Sequence, residues 1–67
     1  MAFSDNVKRL REAKGYSQAE LGKILDVSQQ TISDYEKGKK QPTIVTGVDL
    51  AKALGVTVEE LVSGSGG

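Results

Sequence analysis

Ser17-Gln18-Ala19-Glu20-Leu21-Gly22-Lys23-Ile24-Leu25-Asp26-Val27-Ser28-Gln29-Gln30-Thr31-Ile32-Ser33-Asp34-Tyr35-Glu36-Lys37-Gly38 is the stretch that decides the fold. It opens on a capping box, in which the Ser17 hydroxyl accepts from the third backbone amide of a helix and Glu20 reaches back to the cap. Tyr16 and Leu21 form the hydrophobic staple across it. Leu21, Ile24 and Leu25 are the expected inward stripe, and Gly22 leaves room for a neighbouring helix to approach closely. The helix ends around Leu25. Asp26-Val27-Ser28 admits only a tight turn, and Ser28 caps the next helix, stapled by Val27 and Ile32. In that helix Ile32 and Tyr35 face inward, while Gln29, Gln30, Ser33, Asp34 and Lys37 occupy the other faces. Gly38 supplies the left-handed terminating turn.

Working outward, Ser4 is the expected cap of a first helix of about ten residues, with Val7 and Leu10 inward and Gly15 closing it after Lys14. Downstream, Thr43 after Pro42 caps a fourth helix with Ile44, Val48, Leu50, Ala51 and Leu54 as candidate core positions and Gly55 at its end. A second capping box, Thr57-Val58-Glu59-Glu60, is stapled by Val56 and Leu61 and opens a last short helix ending near Val62. Ser63-Gly64-Ser65-Gly66-Gly67 reads as a flexible linker or a cloning scar. The expected class is therefore all-α, with five short helices in one domain over residues 1–62 and a tail over 63–67.

Composition narrows the function. A chain of 67 residues is less than one average domain, and a core of this size rarely yields more than roughly 3–5 kcal/mol. With no cysteine and no histidine, disulfides and thiolate zinc sites are excluded, and the commonest metal ligand and the usual general base are missing. No cofactor and no metal site are expected, and no pair of carboxylates marks a catalytic cleft. The apolar runs fall far short of the roughly 18 residues needed to cross a bilayer, and no export signal is visible, so a soluble, cytoplasmic chain without membrane association is expected.

Formal net charge is zero, so bulk charge does not argue for a polyanionic partner. Its distribution is polarised. Residues 1–41 carry eight bases against six acids, whereas residues 42–67 carry Lys52 against Asp49, Glu59 and Glu60. Three bases fall within Lys37-Gly38-Lys39-Lys40, a run that alone is more often a solvated loop than a binding patch.

Gln18 to Lys37 satisfies the helix-turn-helix plan. Ala19 and Gly22 are small where the helices cross; Val27, Ile32 and Tyr35 hold the second helix; Gln29, Gln30, Ser33 and Asp34 form its exposed row. Glutamine can make two hydrogen bonds to one adenine edge, each good pair giving about 1–3 kcal/mol of discrimination. A polar outer face is common to all helix bundles. The short turn, the small residues, the amides at the helix start and the basic loop after its end are together more specific. A helix N-terminus also directs backbone amides at phosphate without any bulk positive charge.

From Val7 to Leu61 the sequence resembles the Cro/C1-type (XRE-type) helix-turn-helix domains of lambdoid phage repressors and small bacterial regulators. The matching residues are Val7-Lys8-Arg9-Leu10-Arg11, Ser17-Gln18-Ala19-Glu20-Leu21, Gln29-Gln30-Thr31-Ile32-Ser33, Tyr35-Glu36-Lys37-Gly38, Pro42-Thr43 and Leu50-Ala51-Lys52-Ala53-Leu54-Gly55-Val56. The resemblance implies a five-helix, lambda-repressor-like fold, with a recognition helix over about 28–37 in the major groove of a double-stranded operator, bound by a symmetric homodimer. It assigns Gln29 and Gln30 to base edges, with Ser33 and Asp34 as further groove-facing positions. Asp34 would aim a negative charge at DNA unless it accepts from a cytosine amine or is held by a neighbouring lysine. Lys37, Lys39 and Lys40 fall on phosphate-contacting positions. Gln18 is assigned a phosphate contact and the bracing of the glutamine at the start of helix three; Ser17 is a weaker phosphate candidate. Arg11 and Glu36 resemble the family's inter-helix ion pair.

Two positions depart from the family pattern. Asp26 stands in the turn where glycine is usual, and aspartate tolerates a left-handed backbone better than most residues. Gly47 occupies a place usually held by a core leucine or isoleucine, which points to a loosened or shifted fourth helix with Val48 turned inward. Three functional readings follow: a sequence-specific transcriptional regulator acting as a repressor, a protein-interaction module on the same fold, and an enzyme. The Gln29-Gln30 face beside Lys39-Lys40 favours the first. Val58 and Val62, on helix five, are the candidate dimer contacts unless they complete the core. No effector pocket is expected. An antitoxin, a mobile-element repressor and a domain trimmed from a larger regulator share all these features.

Overall fold

Four of the five expected helices open on the caps anticipated for them. The computed structural model describes residues 3–63 and consists of α1 (Phe3–Lys14), α2 (Gln18–Leu25), α3 (Gln29–Lys37), α4 (Ile44–Leu54) and α5 (Val58–Ser63). No strand occurs among the described residues. Ser17 Oγ accepts from the Glu20 N–H at 3.0 Å, while Glu20 Oε1 accepts from the Ser17 N–H at 2.8 Å. The same reciprocal pair forms between Thr57 and Glu60 at 3.0 and 2.9 Å. These bonds stabilise the ionised carboxylates and hold both glutamates below the usual carboxylate range; in each, the backbone donor has the larger effect. Ser28 and Thr43 cap α3 and α4. Gly15, Gly38 and Gly55 follow α1, α3 and α4 with positive φ, and Asp26 closes α2 in the left-handed region at φ 58°. The Gly/Ser tail beyond the backbone of Ser63 lies outside the described residues.

The core is a single cluster to which every helix contributes. Val7, Leu21, Ile32, Leu50, Leu54 and Leu61 are fully enclosed, joined by Tyr35 and Ala51, with Phe3, Leu10, Tyr16, Leu25, Val27, Ala53 and Val56 packed around them. Two buried polar groups span elements. Asn6 Nδ2 donates to the Leu61 carbonyl at 2.8 Å, tying α5 to α1. Arg11 is described below.

Three expectations are corrected. Ser4 is not a cap but lies within α1, because Phe3 already belongs to the helix and packs edge-on against Tyr35, ring centroids 6.3 Å apart. Ile24 is half exposed: Leu21 and Leu25, four apart, carry the inward stripe of α2 and leave Ile24 on its flank. Ile44 is 88% exposed. The inward row of α4 is Leu50, Ala51 and Leu54, and Ile44 at the first helical position lies outside it.

The two helical glycines have opposite roles. At Gly22 a Cβ would lie 2.8 Å from the Val27 carbonyl oxygen, so the missing side chain lets the turn fold back against α2. The Gly22 carbonyl in turn accepts from the Val27 N–H at 2.8 Å. Gly47 faces open space: a Cβ there would meet no atom within 4 Å. Contrary to a loosened helix, α4 runs through it unbroken, and Val48 is half-buried. The missing side chain instead leaves a groove of about 200 Å³ lined chiefly by Phe3, Pro42, Ile44, Val48, Val58 and Val62. Gly47→Ala is expected to stabilise the fold by about 0.5–1 kcal/mol through helix propensity alone, and Gly22→Ala to destabilise it by about 1–3 kcal/mol through overpacking. Thermal and urea unfolding check both; a lowered melting temperature for Gly47→Ala would contradict the first.

Candidate nucleic-acid interface

The corner between α2 and α3 is fixed from beneath by a charged node. Arg11, on α1, donates through Nε to Glu36 Oε2 at 2.6 Å and through a terminal nitrogen to Glu36 Oε1 at 3.2 Å, a bidentate pair that joins α1 to the end of α3. Its other terminal nitrogen donates to the Tyr16 carbonyl at 2.7 Å, reaching the segment that enters α2. Gln18 Nε2 donates to Glu36 Oε1 at 3.0 Å. The guanidinium is thereby held charged, its pKa raised by the hydrogen bonds to Glu36 against the opposing cost of burial. Only 11% of the Arg11 side chain and 4% of the Glu36 side chain are accessible, so the expected ion pair exists and is largely withdrawn from water.

Above this node α3 presents a polar row. Gln29 and Gln30 are exposed at its first two positions, immediately after the Ser28 cap, and Ser33 is half-buried one turn on. Lys37, Lys39 and Lys40 are exposed at the end of α3 and in the loop after it. That loop is held by the Asp34 carbonyl, which accepts from the Lys39 N–H at 2.9 Å and the Lys40 N–H at 3.4 Å. Ser17 stands at the start of α2, exposed, with its hydroxyl engaged as the cap. The amides, the lysines and the N-terminus of α2 thus belong to one helix-turn-helix unit.

Gln18 is placed differently from the sequence reading, and Asp34 has one partner beyond it. Gln18 braces Glu36, and no hydrogen bond joins it to Gln29 among the described residues. Asp34 turns along α3: Oδ1 accepts from Gln30 Nε2 at 3.0 Å, Oδ2 lies 3.9 Å from Lys40 Nζ, and its side chain is only 13% accessible. The neighbouring lysine anticipated for it is Lys40. The Gln30 contact is not anticipated, although the spacing of four residues is its visible signal. Thr31, likewise not anticipated, shares a 2.9 Å hydroxyl contact with Ser28 beside the α3 cap.

Removing one partner of such a withdrawn pair leaves the other charge unpaired, at a cost of about 3–5 kcal/mol. That is comparable to the whole yield of a core this small. Arg11→Ala is therefore expected to unfold much of the chain near room temperature, and the paired Arg11→Met, Glu36→Leu replacement to recover most of the loss. Urea unfolding followed by circular dichroism checks this; a single replacement costing under about 1 kcal/mol would place the pair among weak surface contacts.

Known relatives bear on this geometry. The helix-turn-helix family model matches residues 7–61. An uncharacterized HTH-type transcriptional regulator, y4dJ of Sinorhizobium fredii, is 45% identical over 58 residues, covering 87% of this chain and 75% of that protein. The cryptic phage CTXphi transcriptional repressor RstR of Vibrio cholerae is 38% identical over 63 residues, covering 94% of this chain and 57% of the relative, so the chain spans little more than half of that protein. Among solved structures, the P22 c2 repressor in complex with synthetic operator 9T superposes with a TM-score of 0.92 at 28% identity, covering 96% of this chain and 97% of that one. With its five helices, its Ser17-to-Lys37 unit and these matches, the chain belongs to the helix-turn-helix family of the Cro/C1 (XRE) type.

Proposed function

We propose that the chain binds double-stranded DNA sequence-specifically as a transcriptional regulator of repressor type, with the segment 28–37 in the major groove. The observation that carries this reading is the pair of exposed amides, Gln29 and Gln30, at the start of a helix whose far end and following loop hold three exposed lysines. In this arrangement Gln29 and Gln30 read base edges with Ser33 one turn behind them. Lys37, Lys39 and Lys40 contact phosphate, as does the N-terminus of α2 through Ser17 and the part of Gln18 not engaged with Glu36. The likeness to a repressor in complex with a synthetic operator supports DNA as the partner. Chemistry is not part of this function, and the site of action is the cytoplasm; no helix among the described residues is long and apolar enough to cross a membrane.

The operator-bound species in this proposal is a homodimer. One module of this size buries only about 600–1,000 Å² on DNA, and two half-sites roughly 34 Å apart are the usual remedy. Val58 and Val62 are 42% and 53% exposed and border the groove left by Gly47, next to the exposed Ile44. An apolar rim of this kind, away from the amide row, suits a second copy of the chain.

Selection of bound duplexes from a random pool tests sequence reading, followed by salt titrations of variants on the recovered site. Gln29→Ala and Gln30→Ala are expected to relax base preference at one position each, by about 1–3 kcal/mol. Lys39→Ala should weaken all sequences alike and flatten the salt slope by about one unit. Uniform weakening in every variant would contradict the division of roles. Sedimentation on the selected duplex is expected to give two chains per duplex, with Val62→Lys reducing this to one; one chain from the unaltered protein would refute the dimer.

A further inference from the structure

We infer that Asp34 is a positioning residue for sequence reading: it orients Gln30 towards the bases and weakens the pull of Lys40 on the phosphates. The inference rests on the DNA-reading proposal above. Its starting point is that a carboxylate on the groove-facing helix, in a surface meant for a polyanion, costs affinity by direct repulsion. The carboxylate is not spread towards solvent but mostly enclosed, with one oxygen on Gln30 and the other facing Lys40.

The contact with Gln30 has a definite chemical outcome. Ionised aspartate only accepts hydrogen bonds, so Gln30 must turn its nitrogen, not its oxygen, towards Asp34. This fixes which way round the amide stands and keeps a long side chain in one rotamer at the exposed start of α3. The carbonyl oxygen and the second N–H remain, and among the described residues neither has another partner. An acceptor together with a donor is what the adenine edge requires. Without Asp34 the amide could rotate and present either order, and ordering it would fall on the binding step.

The contact with Lys40 acts on affinity instead. At 3.9 Å, with the Lys40 side chain 61% exposed, the pair is an exposed one and adds little to folding. It does offset a positive charge in the loop that follows α3, beside Lys37 and Lys39, and so lowers the sequence-independent attraction of that loop for DNA. Asp34 thereby favours discrimination over total affinity.

Binding-site selection and salt titration on the full chain separate these effects. With Asp34→Ala, discrimination at the base pair read by Gln30 is expected to fall about two- to tenfold, while binding to mixed-sequence duplex strengthens and its salt slope steepens by about one unit. Asp34→Asn, whose amide donates as well as accepts and so lets Gln30 face it either way round, should lose part of the discrimination while still steepening the slope. In a Gln30→Ala background, Asp34→Ala should leave base preference unchanged, a coupling that a merely structural role would not produce. Circular dichroism melts confirm that each variant folds. Full discrimination by folded Asp34→Ala, or an equal loss with and without Gln30, would overturn the inference while leaving the DNA-reading proposal intact. Absence of any base preference in the unaltered protein would defeat both.

Discussion

The bidentate contact between Arg11 and Glu36 is the constraint on which the rest of the arrangement depends. It joins the last turn of α1 to the last turn of α3, and the same two groups also take in the Tyr16 carbonyl and the Gln18 amide. The end of α1, the entry to α2 and the end of α3 therefore meet at one charge pair. The carboxylate accepts from both neighbours and the guanidinium donates on three sides, so the desolvation that makes withdrawn ion pairs unfavourable is offset by four hydrogen bonds within the node. Apolar packing of Ile32 and Tyr35 is non-directional and permits α3 to slide or roll; the planar fork of Arg11 does not. The orientation of the outer face of α3 follows from that.

Two small residues complete the positioning. Gly22 allows the turn carbonyl of Val27 to close on α2 at a distance a methyl group would forbid, and Asp26 accepts the left-handed conformation that begins the turn. A further helix-end contact joins α1 to α4, where Lys14 reaches the Gly55 turn, so that its ammonium lies at the C-terminus of α4. There it meets the negative end of the helix dipole. Gly47 is different. It relieves no crowding, and the space it leaves is the groove between α4, α5 and Phe3. The molecule thus has a polar surface on α3 and an apolar rim on α4 and α5, each defined partly by what a glycine permits.

Much of this is legible in the sequence because the signals are local. Capping boxes, staples and terminating glycines act within four or five residues, and the caps and terminating glycines read from Ser17 onward form where expected. The resemblance to known domains supplies Arg11 with Glu36, a pair 25 residues apart that no local rule could join. The failures are also physical. Short helices give the hydrophobic period too few turns to fix a face, so an inward place for Ile24 and Ile44 rests on composition alone. Ser4 looks like a cap because the burial of Phe3 against Tyr35, a contact across 32 positions, is invisible in the sequence. Asn6 carries no apolar signal, yet it is enclosed and bonded to Leu61. In the site, exposure of Gln29, Gln30 and the lysines is foreseeable. The choice of Glu36 as partner of Gln18, and of Gln30 as partner of Asp34, depends on rotamers that spacing does not specify.

The central claim, that the outer face of α3 is the surface that meets duplex, is tested most directly by titrating isotopically labelled chain with the selected duplex and following backbone amide shifts. The largest changes are expected at Gln29, Gln30 and Ser33, with a second group at Gln18 and through Lys37 to Lys40, and much smaller ones along the outer face of α1. Shifts concentrated on Ile44, Val58 and Val62, with the amides of α3 unmoved, would contradict it.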